Sequence, residues 1–303
     1  VYSRSMAVYP ISCHCIAIGD LFFDSRFVYS EFISIGRDEV MDRLQKKTCF
    51  LFDLDGTIYL SEHLIPGAAD LLDEIRKQGK NFAFMTNNSS STKKQYLDKF
   101  KALGIDVTAK EVLTSTDATL RYLKLQKMKN IVLLATPEVE KEFEEAGFFL
   151  VKERGLEADC VVLTFDVSLT YEKIWTAYDY LVKGTAYIAS HPDYLCPLKD
   201  GFKPDVGSFI SLFQTACHRE PLIIGKPNHY MVDEAMDRFG ISKEEMVIVG
   251  DRLYTDIRTG LRSGVTTIAV LSGETTKDML ENTQDIPDYV FPSVKEIFEH
   301  IKK

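Results

Sequence analysis

The sequence predicts an α/β protein: an open parallel sheet with helices over both faces, interrupted by a second, inserted α/β domain. Three observations carry this. From residue 46 onward, short runs that are apolar at nearly every position alternate with amphipathic stretches, and strands buried on both faces belong to parallel sheets. Several of those runs end on a polar or charged residue, where open sheets bind their ligands. A length of 303 residues is enough chain for about two domains.

The elements follow in order. "TCFLFD" is the first buried strand. "PGAADLLDEIRKQGK" comes next, with Pro66 and Gly67 opening a helix, Ala68, Leu71, Leu72 and Ile75 on one face, and Gly79 closing it. "NFAFMTN" is the second strand, and "STKKQYLDKFKALG" a helix ending at Gly104. Residues 126–221 keep a βα rhythm of their own through "NIVLLA", "PEVEKEFEEAG", "DCVVLTF", "TYEKIWTAYDYLVKG", "AYIAS" and "DVGSFISLFQTACH". A self-contained insertion of this kind reads as a second domain, with 41–125 and 222–303 forming the first. "PLIIGKP", "NHYMVDEAMDRFG", "MVIVGD", "YTDIRTGLRSG" and "TTIAVLSG" then return the chain to the first sheet. Trp175 with Tyr171, Tyr178 and Tyr180 reads as the face and flank of a helix in the insertion rather than as a base-stacking platform.

A formal charge of −9 argues against non-specific nucleic-acid binding, which needs a basic surface. No apolar run approaches the roughly 20 residues of a membrane span. Six scattered cysteines, some within apolar runs, are expected to be reduced, buried thiols of a cytoplasmic protein. Cys13-His14-Cys15 makes a poor metal tract without a second ligand pair. Residues 1–40 show no clean period and are expected to be an extension of unclear role, with Met41 as a plausible start.

Polar residues at four apparent strand ends carry the chemistry. Asp53 and Asp55 follow the first strand; Thr86, Asn87 and Asn88 follow the second; Lys226 follows "PLIIG" and Asp251 follows "MVIVG". Singly, each has a bland reading: Asp-Gly-Thr is ordinary turn chemistry, Thr86 a helix cap, Lys226 a solvated lysine. Converging on one sheet edge, they suggest a cation site. Mg²⁺ suits a few carboxylate oxygens and completes its shell with a phosphate oxygen, while the lack of soft ligands argues against zinc. The Thr86 hydroxyl, a backbone N–H at Asn87 and the Lys226 charge would then neutralise a transferring phosphoryl group. One carboxylate would attack phosphorus while the other works as acid and base.

These residues, Asp53-Leu54-Asp55-Gly56-Thr57, Thr86 with Asn87 and Asn88, Lys226, and "GDRLYTD" with Asp251 and Asp256, resemble the four motifs of the haloacid dehalogenase-like (HAD) hydrolases, in that family's order. The resemblance runs from about residue 45 to the end. Only 33 positions separate Asp53 from Thr86, whereas 140 separate Thr86 from Lys226, so a cap domain fits between the second and third motifs. That arrangement resembles subfamily IIA, the NagD-like and 4-nitrophenylphosphatase-like enzymes. The implied fold is a Rossmann-like HAD core with an inserted C2-type cap. One departure is Pro204-Asp205-Val206-Gly207, where many relatives carry Pro-Gly-Ala-Gly; it puts substrate identity in doubt rather than the reaction.

The resemblance implies that Asp53 is the nucleophile and Asp55 the general acid/base. Asp53, the backbone carbonyl of Asp55, and Asp251 would ligate Mg²⁺, with Asp256 in support. Asp55, Gly56, Thr86, Asn87, Asn88 and Lys226 would bind phosphate. Asp193, Tyr194 and Asp205 are candidates for substrate choice in the cap. The expected activity is hydrolysis of a small phosphorylated metabolite (a sugar phosphate, a phosphoglycolate-type acid or a nucleoside monophosphate). The alternative is a catalytically idle phosphate-sensing or docking domain on the same fold. Mutase relatives usually carry their cap after the first motif, which this spacing excludes. Caps of this subfamily often mediate dimers, so a homodimer is the implied assembly.

Overall fold

A computed structural model of the chain describes residues 43–198 and 200–302. The N-terminal extension and Cys13-His14-Cys15 lie outside them. Strands β1 (Cys49–Phe52), β4 (Asn81–Thr86), β5 (Val112–Thr114), β13 (Met246–Gly250), β14 (Thr266–Val270) and β15 (Tyr289–Phe291) form one sheet in the order β15-β14-β13-β1-β4-β5. Every pairing in it is parallel. The chain runs outward from β1 through β4 to β5, then resumes on the other side of β1 with β13, β14 and β15. β1 therefore sits at the switch point, where the carboxyl ends of the strands leave a crevice.

A second, five-stranded parallel sheet is built from β6 (Asn130–Leu134), β7 (Phe149–Leu150), β8 (Cys160–Leu163), β9 (Ala186–Ala189) and β12 (Leu222–Ile223), in the order β12-β9-β8-β6-β7. Two hairpins complete the strands: β2 (Tyr59–Leu60) with β3 (His63–Leu64), and β10 (Leu195–Leu198) with β11 (Gly201–Pro204).

β12 corrects one expectation. "PLIIG" was expected to return to the first sheet, yet Leu222 and Ile223 pair with Ile188 and Ala189 of β9. Lys226 therefore leaves the end of an inserted-sheet strand, and the second sheet reaches past residue 221. Only two residues of β12 pair, and backbone pairing between distant strands has no local signature.

Helix α1 (Ala68–Lys77) buries the four residues of its apolar stripe, Ala68, Leu71, Leu72 and Ile75. α2 (Lys93–Ala102) starts on a reciprocal capping box between Thr92 and Gln95. α3 (Ser115–Leu125) follows β5 directly, and α4 (Pro137–Glu145) opens on its proline. α5 (Tyr171–Leu181) starts from Thr170, and α6 (Val206–Cys217) from Asp205. α7 (Tyr230–Phe239) ends on Gly240, and α8 (Arg258–Ser263) continues a π turn over Leu253–Ile257.

Alternate residues of β6 face opposite layers, as the strand period requires. Ile131 and Leu133 join an apolar cluster that also contains Leu51, Met85, Leu113 and Ile248 of the first sheet. Val132 and Leu134 join another with Leu163, Ala177, Leu181 and Phe213. One apolar layer thus runs continuously from the first sheet into the second. Among the described residues, no helix is long and apolar enough to cross a membrane. The four cysteines among them are free, with Cys49 and Cys160 buried.

Candidate active site

β1 delivers Asp53 to the crevice, and the Asp53 N–H donates to the Val249 carbonyl of β13 at 2.8 Å. The chain then turns sharply: the Gly56 N–H donates to the Tyr59 carbonyl, with Gly56 at φ +87°. That left-handed conformation favours glycine, and a Cβ here would also collide with the Asp251 carboxylate. β13 ends at Gly250 and places Asp251 beside Asp53. The π turn that follows swings Asp256 back against the same strand end, where Gly250 leaves no room for a side chain of its own.

Carboxylate oxygens of Asp53, Asp251 and Asp256 lie within 4.8 Å of one another. Lys226 Nζ donates to Asp53 Oδ1 and, at 2.6 Å, to Asp256 Oδ1. Asp256 is fully buried, and its second oxygen accepts from the Arg252 N–H at 3.1 Å. Asp251 is nearly as buried; its Oδ2 accepts from the Glu274 N–H at 2.7 Å, while its Oδ1 has no hydrogen-bond partner.

Three carboxylates crowd round one ammonium, with the Arg252 guanidinium close by, so negative charge is in surplus at the rim. Burial first, and then repulsion from Asp53, raises the pKa of both Asp251 and Asp256; Asp256 adds to the shift of Asp251, while Lys226 opposes that of Asp256. Burial opposes the Lys226 charge, but Asp256 and Asp53 outweigh it and hold the ammonium protonated. A divalent cation fits this charge deficit and the orphaned Asp251 oxygen, and the donors are all hard oxygens. Because Asp256 uses both oxygens on Lys226 and Arg252, Asp53 and Asp251 are the carboxylates left to face a cation.

Asp55 opens onto the same cavity of about 1120 Å³, whose walls include Asp53, Thr86, Asn87, Asn88, Lys99, Lys226 and Arg252. Its pKa is raised, chiefly by desolvation; Lys99 and Arg252 oppose the shift and Asp53 adds to it. Thr86 Oγ1 accepts from the Asn88 N–H. The Asn87 side chain grips the Lys226 backbone at both ends, Oδ1 accepting its N–H at 2.8 Å and Nδ2 donating to its carbonyl at 3.1 Å. Asp193 and Asp205 line the cavity's other side with the β10–β11 hairpin; Tyr194 is mostly exposed and is not part of that wall.

Sequence reasoning passed over several residues here. Lys99 sits with Nζ 3.7 Å from the Tyr59 ring centroid, and a single lysine in an amphipathic helix gives no signal. Arg252, whose Nε lies 3.0 Å from Glu274 Oε2, follows Asp251 directly and could have been marked from that adjacency. The loop after β14 binds the first turn through Ser272 Oγ, which donates to the Gly56 carbonyl at 2.7 Å.

Comparison with known proteins gives the family. Residues 50–149 match the family described as haloacid dehalogenase-like hydrolase, and residues 223–297 match one described as HAD-hydrolase-like. The chain is 35% identical over 274 residues to phosphoglycolate phosphatase 1A of Arabidopsis thaliana, covering 82% of this chain and 74% of that protein. The structure of a 4-nitrophenylphosphatase from Thermotoga maritima superposes with a TM-score of 0.81 at 42% identity, covering 86% of this chain and 99% of the other. A glycerol phosphate phosphatase from Mycobacterium tuberculosis, in complex with magnesium, gives a TM-score of 0.79 at 25% identity, covering 86% and 79% of the two chains.

Proposed function

Since this chain belongs to the haloacid dehalogenase-like hydrolases, in their NagD-like subfamily IIA, we propose that it hydrolyses small phosphomonoesters through an aspartyl-phosphate on Asp53, with Mg²⁺ as cofactor. The observation that carries this reading is the gathering of Asp53, Asp251, Asp256 and Lys226 at one rim, with Asp55 on the same cavity. In the same reading residues 126–221, extended by β12, are the cap, and the remainder of the chain from residue 41 is the core.

Asp53 and Asp251 would hold the cation together with the Asp55 backbone carbonyl; Asp256 fixes Lys226 from behind. The related glycerol phosphate phosphatase carries magnesium, which supports that choice. When bound, the ion supplies positive charge to the phosphoryl oxygens and offsets the surplus negative charge of the rim. Lys226 and the backbone at Asn87 grip the phosphoryl group, and Thr86 adds its hydroxyl.

A carboxylate oxygen of Asp53 attacks phosphorus, the bond to the ester oxygen breaks, and protonated Asp55 gives that oxygen its proton. Asp55, now ionised, takes a proton from water as the water attacks the aspartyl-phosphate. Inorganic phosphate leaves, Asp53 is restored, and Asp55 is protonated again. The raised pKa of Asp55 supports its role as the acid, since it must hold a proton where Asp53 does not.

A phosphoglycolate-type acid, a sugar phosphate and a nucleoside monophosphate all suit a cavity of this size. That the four described cysteines are free supports a reducing compartment such as the cytoplasm. Phosphate release from 4-nitrophenyl phosphate tests the reading, with Mg²⁺, with EDTA and with Asp53→Asn. Metal-dependent turnover that the variant abolishes is expected; a purified protein inert across a panel of phosphate esters would leave the idle, phosphate-sensing reading in its place.

A further inference from the structure

The seam between the two sheets holds a buried polar chain that the mechanism above does not use. Beyond its grip on Lys226, Asn87 Nδ2 also donates to Asp193 Oδ2 at 3.1 Å. That same oxygen lies 3.3 Å from His191 Nδ1, and His191 Nε2 faces Asp205 Oδ1 at 3.6 Å. The imidazole is fully buried, with the Phe165 ring edge-on at 6.4 Å. Gly225 closes the arrangement, since a Cβ there would strike both Asn87 Oδ1 and the Ser190 carbonyl. A second contact crosses the seam beside it: the Ser89 and Ser190 hydroxyls pair at 2.8 Å, and Ser89 Oγ accepts the Phe165 N–H.

An asparagine amide can be turned end for end in its site, and its neighbours decide which end is which. Here Nδ2 has two N–H bonds to place: one goes to the Lys226 carbonyl, and Asp193 accepts the other. Although burial pushes the Asp193 carboxyl up, the adjacent His191, the Asn87 amide and the Lys226 charge together bring it below the ordinary range, which suits an acceptor.

We infer that Asp193, itself set by His191, is a positioning residue: it orients the Asn87 amide, which clamps the backbone of Lys226 and so aims the lysine ammonium at Asp53. The inference rests on the phosphatase reading and assigns Asp193 a task other than contact with the leaving group. A cap residue thereby acts on the phosphoryl half of the site.

The experiment compares Asp193→Ala, Asp193→Asn and His191→Gln with the parent protein. It reads kcat and KM for 4-nitrophenyl phosphate and for a sugar phosphate, and inhibition by inorganic phosphate. Loss of aim should lower kcat by about 10- to 100-fold on both esters by the same factor, since small misplacements cost that much. Phosphate inhibition should weaken by about 10-fold in Asp193→Ala, while Asp193→Asn, which keeps an acceptor, should recover to within about threefold of the parent. His191→Gln should fall between them.

An effect confined to one ester with unchanged phosphate inhibition would overturn the inference, and so would an Asn variant as impaired as the Ala one. If Asp193→Ala does not fold, Asp193→Asn and His191→Gln decide by the same readouts. If the parent hydrolyses nothing, the phosphatase reading fails by itself. Calorimetric binding of inorganic phosphate to the parent and the Ala variant then tests the clamp, equal affinity overturning it.

Discussion

The two walls of the cleft are built on opposite plans. On the core side, Asp53, Asp251, Asp256 and Lys226 are largely withdrawn from solvent and are bound to one another or to backbone N–H groups. On the other side the β10–β11 hairpin stands open, with Leu195, Leu198 and Phe202 each about half exposed. Burial makes charge strong and positions exact to fractions of an ångström, so the core wall suits a fixed reaction. An exposed hairpin gains little from any single side chain, so its residues can differ without loss of the fold. Between the walls, the His191–Asp193–Asn87 chain follows the core's plan although most of it belongs to the inserted sheet.

The largest effect that would break this contrast is at the nucleophile. Asp53→Asn should lower kcat by about 10⁴-fold or more, as removal of a covalent nucleophile does, in steady-state release of 4-nitrophenol. Residual turnover near that of the parent would remove Asp53 from its role. Next comes Asp55→Asn, with an expected loss of about 10²- to 10⁴-fold and an unchanged half-saturating Mg²⁺ concentration, because only its backbone carbonyl would face the ion.

The pH dependence has a definite sign. Desolvation raises the Asp55 pKa, so the proton needed for leaving-group departure persists to higher pH than on an ordinary carboxyl. Activity of the parent should fall on the alkaline side as Asp55 ionises, and the residual activity of Asp55→Asn should lack that limb in a kcat–pH profile. An alkaline limb that survives in the variant belongs to another group.

A fourth test concerns stability. Asp205 caps α6 through Oδ1, which accepts the Val206 N–H at 2.7 Å, and burial raises its pKa to about 6. The native state therefore holds that proton more tightly than the unfolded chain. The contribution is favourable at low pH and is lost as pH rises through about 6. Asp205→Asn keeps an acceptor for the cap and carries no charge. It should stabilise the protein on the order of 2 kcal/mol at pH 8, and much less near pH 4, in urea unfolding. The smallest effect is expected on the open wall, where Leu198→Ser should change stability by under about 0.5 kcal/mol while shifting KM unequally among esters. A uniform loss of kcat there would erase the contrast between the walls.

What the sequence made legible follows the same division. Asp53, Asp55 and Asp251 announce themselves because charge at the end of an apolar run is hard to explain by packing alone, Asp256 is marked only by the resemblance of "GDRLYTD" to a family motif, and the α1 stripe was readable because four apolar positions recur at helical spacing. β5 was not legible: three residues between a short 3₁₀ turn and α3 give no period. The β10–β11 hairpin was not legible either, since Pro197 and Pro204 interrupt any strand pattern. The partnership of β12 with β9, and that of Asn87 with Asp193, join residues far apart in the chain. Such pairings depend on the folded arrangement, and neither partner carries a local mark of the other.

The apolar layer shared by Leu51 and Met85 of one sheet and Ile131 and Leu133 of the other also bears on how the molecule comes apart. Neither sheet can expose its side of that layer without stripping the other of its cover, so the two should lose structure in a single cooperative transition. A cap excised as a separate fragment would present a bare greasy face to water, and swapping caps between relatives would require repacking that boundary as well as the lip of the cleft.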